Sequence, residues 1–401
     1  MSAVEPIGPV SGPVVVLGAG YAGLATAQGV ARRSRGKLPV VLVDRHPVHV
    51  LRTELYEIGR LARAAGDPGP WTVPLARALE RSSVEFRTSD VRAIDLDGRT
   101  VEFDSGRLSY GQLVIALGSV AAYYGVPGAV ENTHQVYRLS GAQRLAAAIR
   151  EVEQRSATLP PERRPRFVIV GGGSTATELG AEIAATDWAA IAGPGARAPE
   201  VLLVTGALPF LAGFPPAVVA RARRVLRRRG VSLIEGLNAT RVDPGKISIS
   251  DGSTIAFDLA IWCAGLEVPP VVRALPVPHG RAGRLRVAPT LELPDRPGVF
   301  AVGDVIELAD PDTGAPVPGT AAAALAAGEV AAANAVARWR NRPLVPLRYR
   351  ERGAVVALGT GSAAGSVRHV TVWGSPAALL KRLVQRDYSS SVTRGEPPHL
   401  A

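Results

Sequence analysis

The feature that most constrains this chain is a glycine turn set between an apolar strand and a helix. Val14-Val15-Val16-Leu17 runs into Gly18-Ala19-Gly20-Tyr21-Ala22-Gly23, and a helical stretch follows from Leu24 to Arg32. In a dinucleotide-binding βαβ unit the first glycine of G-x-G-x-x-G makes the tight turn and the second lets backbone approach a pyrophosphate. The third lets helix and strand pack closely. A second apolar strand, Pro39 to Val43, ends in Asp44 about 20 residues on, where a carboxylate can accept ribose hydroxyls. One such turn also fits other α/β proteins. Here Phe167 to Val170 leads into Gly171-Gly172-Gly173-Ser174-Thr175-Ala176-Thr177-Glu178, repeating strand, glycine turn and helix. The duplication predicts an α/β fold with two Rossmann-like dinucleotide-binding domains.

The two units are not identical. The strand Val201 to Val204 ends in Thr205-Gly206, where an NAD-type unit places Asp or Glu. Thr205 can bond a ribose hydroxyl and does not repel a 2′-phosphate, so NADH and NADPH both stay open as co-substrates. Each half closes on a similar strand, Leu113 to Gly118 and Leu259 to Gly265. A third buried strand, Gly298 to Val302, ends in Gly303-Asp304, placing a carboxylate where the strands of such a sheet bind ligands. Between these elements Trp71 to Arg81 reads as an amphipathic helix. Val84 to Arg87, Val91 to Leu96 and Thr100 to Phe103 read as short strands, and the proline-rich stretch Gln154 to Pro165 punctuates the chain.

Length and composition narrow the class. At 401 residues with 47% hydrophobic and 20% charged residues, the chain is globular and exceeds one ordinary core. Its net charge of +11 is carried almost wholly by arginine, since the three lysines are Lys37, Lys246 and Lys381. That charge permits an anionic partner without demanding one, and no nucleic acid is expected. On the helix around Arg221 to Arg229, Val218, Ala222, Val225 and Leu226 form a core stripe opposite solvated arginines. A single cysteine, Cys263, excludes an intramolecular disulfide and a C-x-x-C redox pair, and its apolar strand marks it as a core residue. His46 and His49 flank Pro47 and read as loop residues, so no metal is expected. No apolar run reaches the length of a membrane span, and the first residues lack a signal-peptide pattern, which predicts a cytoplasmic protein.

In order along the chain, these motifs resemble the flavoproteins with two dinucleotide-binding domains, and within them the type II NADH:quinone oxidoreductase family. The resemblance rests on G-A-G-Y-A-G at Gly18, T-E-L-Y-E at Thr53, L-V-I-A-L-G-S at Leu113 and Tyr124-Gly125-Val126-Pro127-Gly128. It continues through G-G-G-S-T-A-T-E-L at Gly171, I-W-C-A-G at Ile261, F-A-V-G-D at Phe300 and R-Y-R-E-R-G at Arg348. It implies FAD on Gly18, Gly20, Tyr21, Ala22 and Gly23, with the adenosine ribose on Asp44 beside Arg45. Ala116, Gly118 and Gly303 would line the cofactor and Asp304 would hold its ribityl chain. Thr53 to Tyr56 and the helix beginning at Thr320-Ala321 would flank the flavin ring. Gly171, Gly173 and Glu178 would frame the nicotinamide nucleotide, and a substrate cavity is expected beside Arg52, Glu54 and Tyr124. Arg52, Glu54, Tyr124 and Glu178 are thus the candidate catalytic residues.

The same resemblance divides the chain into an FAD domain over 12–138 and 285–345, an NAD(P) domain over 139–284, and a C-terminal interface segment over 346–386. Residues 387–401 are expected to be a disordered tail. The implied activity is hydride transfer from NADH or NADPH through FAD to a quinone or quinone-like small molecule. Two features depart from the family pattern. Ala322 and Ala326 stand where quinone-reducing members carry glutamines, and the C-terminal helix, with Ser375-Pro376 as its N-cap and N1, is short. It would dock on its own flavin domain, on a second copy in a homodimer, or lie peripherally on a membrane. The departures motivate two alternatives, a flavoenzyme of secondary metabolism acting on a specialised metabolite, and a non-catalytic redox-responsive flavoprotein.

Overall fold

The computed structural model describes residues 12–58, 71–156, 158, 160, 163–193, 195–368 and 370–396. Val14–Leu17 is the central strand of a five-stranded parallel sheet, flanked by Gln112–Ile115 and Val299–Ala301 on one side and by Val40–Asp44 and Val84–Thr88 on the other. Runs such as Val14 to Leu17 and Leu113 to Ile115 are wholly buried, which is why these strands are uniformly apolar and do not alternate. The strand order reverses at Val14–Leu17, so its carboxyl end opens on the crevice where doubly wound sheets bind ligands. Arg166–Val170 occupies the matching place in a second parallel sheet, between Leu259–Trp262 and Glu200–Thr205, with Val231–Glu235 at the edge.

The duplication extends beyond the sheets. Each unit carries a three-stranded antiparallel meander, over Val91–Asp95, Thr100–Phe103 and Gly106–Ser109 in the first and over Ala239–Asp243, Lys246–Ile249 and Thr254–Ala256 in the second. Val120–Ala121 pairs with Leu266–Glu267, tying together the two stretches of chain that leave the closing strands.

A long helix, Ala321–Trp339, lies against the first helix, Tyr21–Ser34. Glycine and alanine make the approach possible. A Cβ on Gly328 would meet the Ala22 carbonyl at 2.5 Å, and one on Gly29 would meet the Ala332 Cβ at 2.6 Å. After a three-stranded antiparallel sheet, Gly353–Ala357, Ala363–Val367 and Val370–Trp373, the chain ends its described part in the helix Gly374–Thr393.

Three expectations need correction. Trp71 to Arg81 is not one helix: Thr72–Pro74 pairs as a strand with Val48–Val50, and only Leu75–Ala78 is helical. The C-terminal helix caps on Trp373, so Ser375 and Pro376 lie inside its first turn. The same helix runs through the stretch expected to be a disordered tail, because Tyr388, Ser391 and Val392 are buried. Residues 397–401 of that tail, and residues 1–11 and 59–70, lie outside the described residues.

Tyr388 carries the helix to the first glycine turn. Its hydroxyl donates to His49 Nε2 at 3.0 Å, and His49 Nδ1 donates to the Ala19 carbonyl at 2.8 Å. His49, read as a loop residue, is thus a buried bridge between chain ends. Burial holds its pKa below the usual value, so the folded protein keeps it neutral. Below about pH 6.5 the unfolded chain takes up a proton that the native ring refuses. Stability should therefore fall as pH drops through that window, by at most about 1.4 kcal/mol per pH unit from this one group. Urea titrations at stepped pH should show the slope reduced in His49→Gln; the same slope in both proteins would contradict this assignment.

Candidate active site

The first turn separates glycines the fold requires from one it leaves open. Gly18 has φ +98°, and a Cβ there would lie 2.4 Å from the Ala116 carbonyl. On Gly23 a Cβ would lie 1.8 Å from the Gly18 carbonyl. Nothing comes within 4 Å of a Cβ built on Gly20. Gly20 also caps the helix Tyr21–Ser34 without a side-chain bond, and no acid sits in its first turn. The first amides of that helix are thus left without a side-chain cap at the favourable end of its dipole, an arrangement that fits a pyrophosphate.

The second turn repeats this. Gly171 has φ +139°, its Cβ position lies 2.2 Å from the Cys263 carbonyl, and Gly173 is open. The helix Ser174–Ala185 is likewise uncapped by any side chain and has no acid in its first turn. Thr320 behaves differently, because its hydroxyl accepts the Ala323 N–H at 3.2 Å and closes its own helix.

Around the first turn the expected residues converge. Asp44 accepts the Ala19 N–H at 2.8 Å and so holds the turn. Arg45 instead pairs with Asp90 at 3.4 Å. Asp304 accepts the Ser119 hydroxyl at 2.6 Å and lies 3.7 Å from Arg52, whose guanidinium also packs 3.1 Å from the Cβ position of Gly118. Asp304, Gly303 and Thr320 line one cleft with Arg284 and Gly319, and Ala321 begins the helix beside it. Ala22 closes against Gly303 from the other side, its Cβ 3.3 Å from the Gly303 Cβ position. Thr53 bonds the Tyr21 hydroxyl at 2.9 Å, while Glu54, half-buried, ends the short turn Arg52–Glu54. Burial pushes the Tyr21 phenol up to about 12, so it stays neutral.

The second turn opens on a cavity of about 570 Å³ lined by Tyr124, Gly171, Gly173, Thr205, Asn238 and Trp262 among others. Tyr124 is 68% exposed at its mouth with φ +53°, and a Cβ on Gly265 would meet its hydroxyl at 2.0 Å. Cys263 is buried, and burial pushes its thiol up to about 12, which suits the core reading.

Glu178 does not line this cavity, contrary to the sequence expectation. It sits one turn into its helix, where its carboxylate accepts the Ala357 N–H at 3.0 Å and pairs with Lys381 of the C-terminal helix. The Lys381 ammonium lies 4.8 Å from the centre of the Tyr56 ring, and Gln385, one helical turn on, reaches the Thr53 carbonyl at 3.4 Å. Ser119, His49, Lys381 and Tyr388 were not legible as site residues. The one signal was Lys381, a lone lysine in a chain that otherwise uses arginine almost everywhere.

Comparison with known proteins agrees with this geometry. The family model for pyridine nucleotide-disulphide oxidoreductases matches residues 12–328. An NADH dehydrogenase-like protein of Mycobacterium tuberculosis is 31% identical over 383 residues, covering 92% of each chain. The demethylphylloquinone reductase NdbB of Synechocystis sp. is 30% identical over 385 residues, covering 92% of this chain and 90% of that one. In fold, the chain resembles NDH2 of Plasmodium falciparum solved with NADH, with a TM-score of 0.82, 13% identity and 96% of both chains covered. The chain therefore belongs to the pyridine nucleotide-disulphide oxidoreductase family, as an oxidoreductase that uses FAD and NAD(P)H.

Proposed function

We propose that this protein passes reducing equivalents from a reduced nicotinamide nucleotide held at the second glycine turn, through FAD held at the first, to a quinone. The observation that carries this reading is the pair of open glycines, Gly20 and Gly173, each at an uncapped helix start, in two sheets of one chain. Its relatives support the acceptor, since the Synechocystis protein is a demethylphylloquinone reductase. The first unit, over 12–138 and 285–345, would hold FAD, and 139–284 the nucleotide. The strand Val299–Ala301, completing the first sheet, supports that division.

Bound FAD supplies a two-electron store able to take hydride from a nicotinamide and release electrons to a quinone. The chain's part is position and charge. Asp304 and Arg52 fix the crevice between turn and long helix, and the dipole of the helix starting at Ala321 favours negative charge at its mouth. Reducing a quinone to a quinol takes two electrons and two protons, and a hydride carries only one proton. The second must enter through a titratable group. Glu178 and Lys381 form such a group where the Thr53–Tyr56 loop, the second unit and the C-terminal segment meet. Ala322 and Ala326 offer no hydrogen-bond donors, so Lys381 and Gln385 take that role toward the acceptor.

Anaerobic rapid mixing tests this. NADH or NADPH should bleach the bound flavin, and a soluble naphthoquinone should restore its absorbance. Glu178→Gln should leave bleaching within about threefold and slow reoxidation by about tenfold or more, an effect of ordinary size for a proton-transfer group. Failure of both nucleotides to bleach the flavin, or equal slowing of both half-reactions, would contradict the assignment.

The face of the C-terminal helix away from Lys381 leaves Leu379 52% and Leu383 54% exposed, beside exposed Trp373, Arg382 and Arg386. Among the described residues no helix is long and apolar enough to cross a membrane. This strip suits peripheral contact with an anionic bilayer, which would bring a lipid-dissolved acceptor beside the helix. Co-sedimentation with phosphatidylglycerol vesicles should be lost in a Leu379→Glu, Leu383→Glu variant. Dimers that the same substitutions split, with no vesicle binding, would assign the strip to a second copy.

A further inference from the structure

The two nucleotide units share their backbone hydrogen bonding and differ at one decisive position. Gly18 N–H donates to the Val43 carbonyl at 2.7 Å, and Gly171 N–H donates to the Val204 carbonyl at 2.8 Å. That register makes Thr205 the counterpart of Asp44, and Gly172 the counterpart of Ala19. In the first unit the Asp44 carboxylate accepts the N–H of Ala19. In the second the Thr205 hydroxyl lies under Gly172, where a Cβ would meet it at 2.4 Å, and accepts the Ala207 N–H at 3.1 Å. The residue that follows is Gly206, where the first unit has Arg45.

Among the described residues no charge lining the cavity substitutes for the missing one. Glu235 pairs with Thr205 across the sheet, yet its carboxylate accepts the Phe210 N–H at 2.8 Å and is bound by Arg223. Arg223 is committed by the same bond, so it is not free to meet a phosphate. Among the described residues that line the cavity there is no Asp, Glu, Lys or Arg. The other arginines of the helix Pro216–Arg228 do not reach it.

A carboxylate at this place accepts the ribose hydroxyls and repels a 2′-phosphate, and a free guanidinium does the reverse. Neither force acts here. Resting on the reading that this cleft takes the nicotinamide nucleotide, we propose that it does not discriminate at the ribose 2′ position, because uncharged Thr205 stands where a charged residue would select. NADH and NADPH then reduce the flavin with second-order rate constants within about tenfold of each other, a ratio set by the absence of either charge.

The test uses the flavin-loaded protein at 0.15 M salt. Calorimetric titration with 5′-AMP and with 2′,5′-ADP reads the ribose pocket without any redox step, and anaerobic mixing with NADH and NADPH reads the reaction. The two probes should bind within about tenfold of each other. Thr205→Glu should weaken 2′,5′-ADP by about tenfold or more and 5′-AMP by no more than about threefold, with the same split between NADPH and NADH. Thr205→Val, which keeps the shape and removes the hydroxyl, should leave the ratio unchanged and so separates charge from packing. A wild-type ratio beyond tenfold in either direction, or Thr205→Glu weakening both probes equally, overturns the proposal. If neither probe binds and neither nucleotide bleaches the flavin, the parent reading of the cleft fails as well, and that outcome is distinct from a skewed ratio.

Discussion

The first glycine-turn unit of the molecule depends on how one residue is held. Ala19 stands in a turn whose first glycine adopts φ +98°, a conformation with no regular hydrogen-bond ladder of its own. Both polar groups of the Ala19 residue are nevertheless satisfied by side chains, the N–H by Asp44 and the carbonyl by His49. His49 is in turn fixed by Tyr388, so the last described helix reaches back to the first turn. Buried polar groups left without partners each cost about 1–3 kcal/mol, so this chain of bonds fixes the turn far more firmly than its local sequence could. Tyr21, the first residue of the helix that follows, packs edge-on to His49 and against Tyr388.

From that anchor the division of labour between the three helix starts follows. The helices after Gly20 and Gly173 leave their first amides without side-chain caps, and a long helix capped by Thr320 closes over the first unit. Gly328 and Gly29 allow that closure, and Asp304 and Arg52 are thereby brought together at the crevice. The C-terminal helix then serves both units, through Tyr388 and His49 to the first glycine turn and through Lys381 to Glu178.

Most of the fold was legible because its signals are local. An apolar strand, a glycine turn and a helix identify each unit within about thirty residues, a span set by the βαβ design. Asp44 bonds the first turn, and Asp304, Arg52 and Thr320 gather at one cleft beside it. What was not legible depends on contacts between distant segments. Glu178 looked like part of the nucleotide frame because it follows the second glycine turn, but its partner, Lys381, comes from the far end of the chain. The tail looked disordered because its sequence is polar, yet Tyr388 and Val392 bury it against the first sheet's core. The segment from Trp71 has helical periodicity, and pairing with Val48–Val50 overrides it.

The central claim is that the turn at Gly18 holds a flavin at Gly20, the one of its three glycines that the fold leaves open. Measuring flavin content and thermal stability of Gly20→Ala beside Gly23→Ala tests it most directly. Gly20→Ala should purify without flavin while matching the melting temperature of the wild-type apoprotein. Gly23→Ala, whose Cβ would overlap the Gly18 carbonyl, should lose about 1–3 kcal/mol of stability, the range for overpacking. A yellow, flavin-replete Gly20→Ala protein would contradict the account.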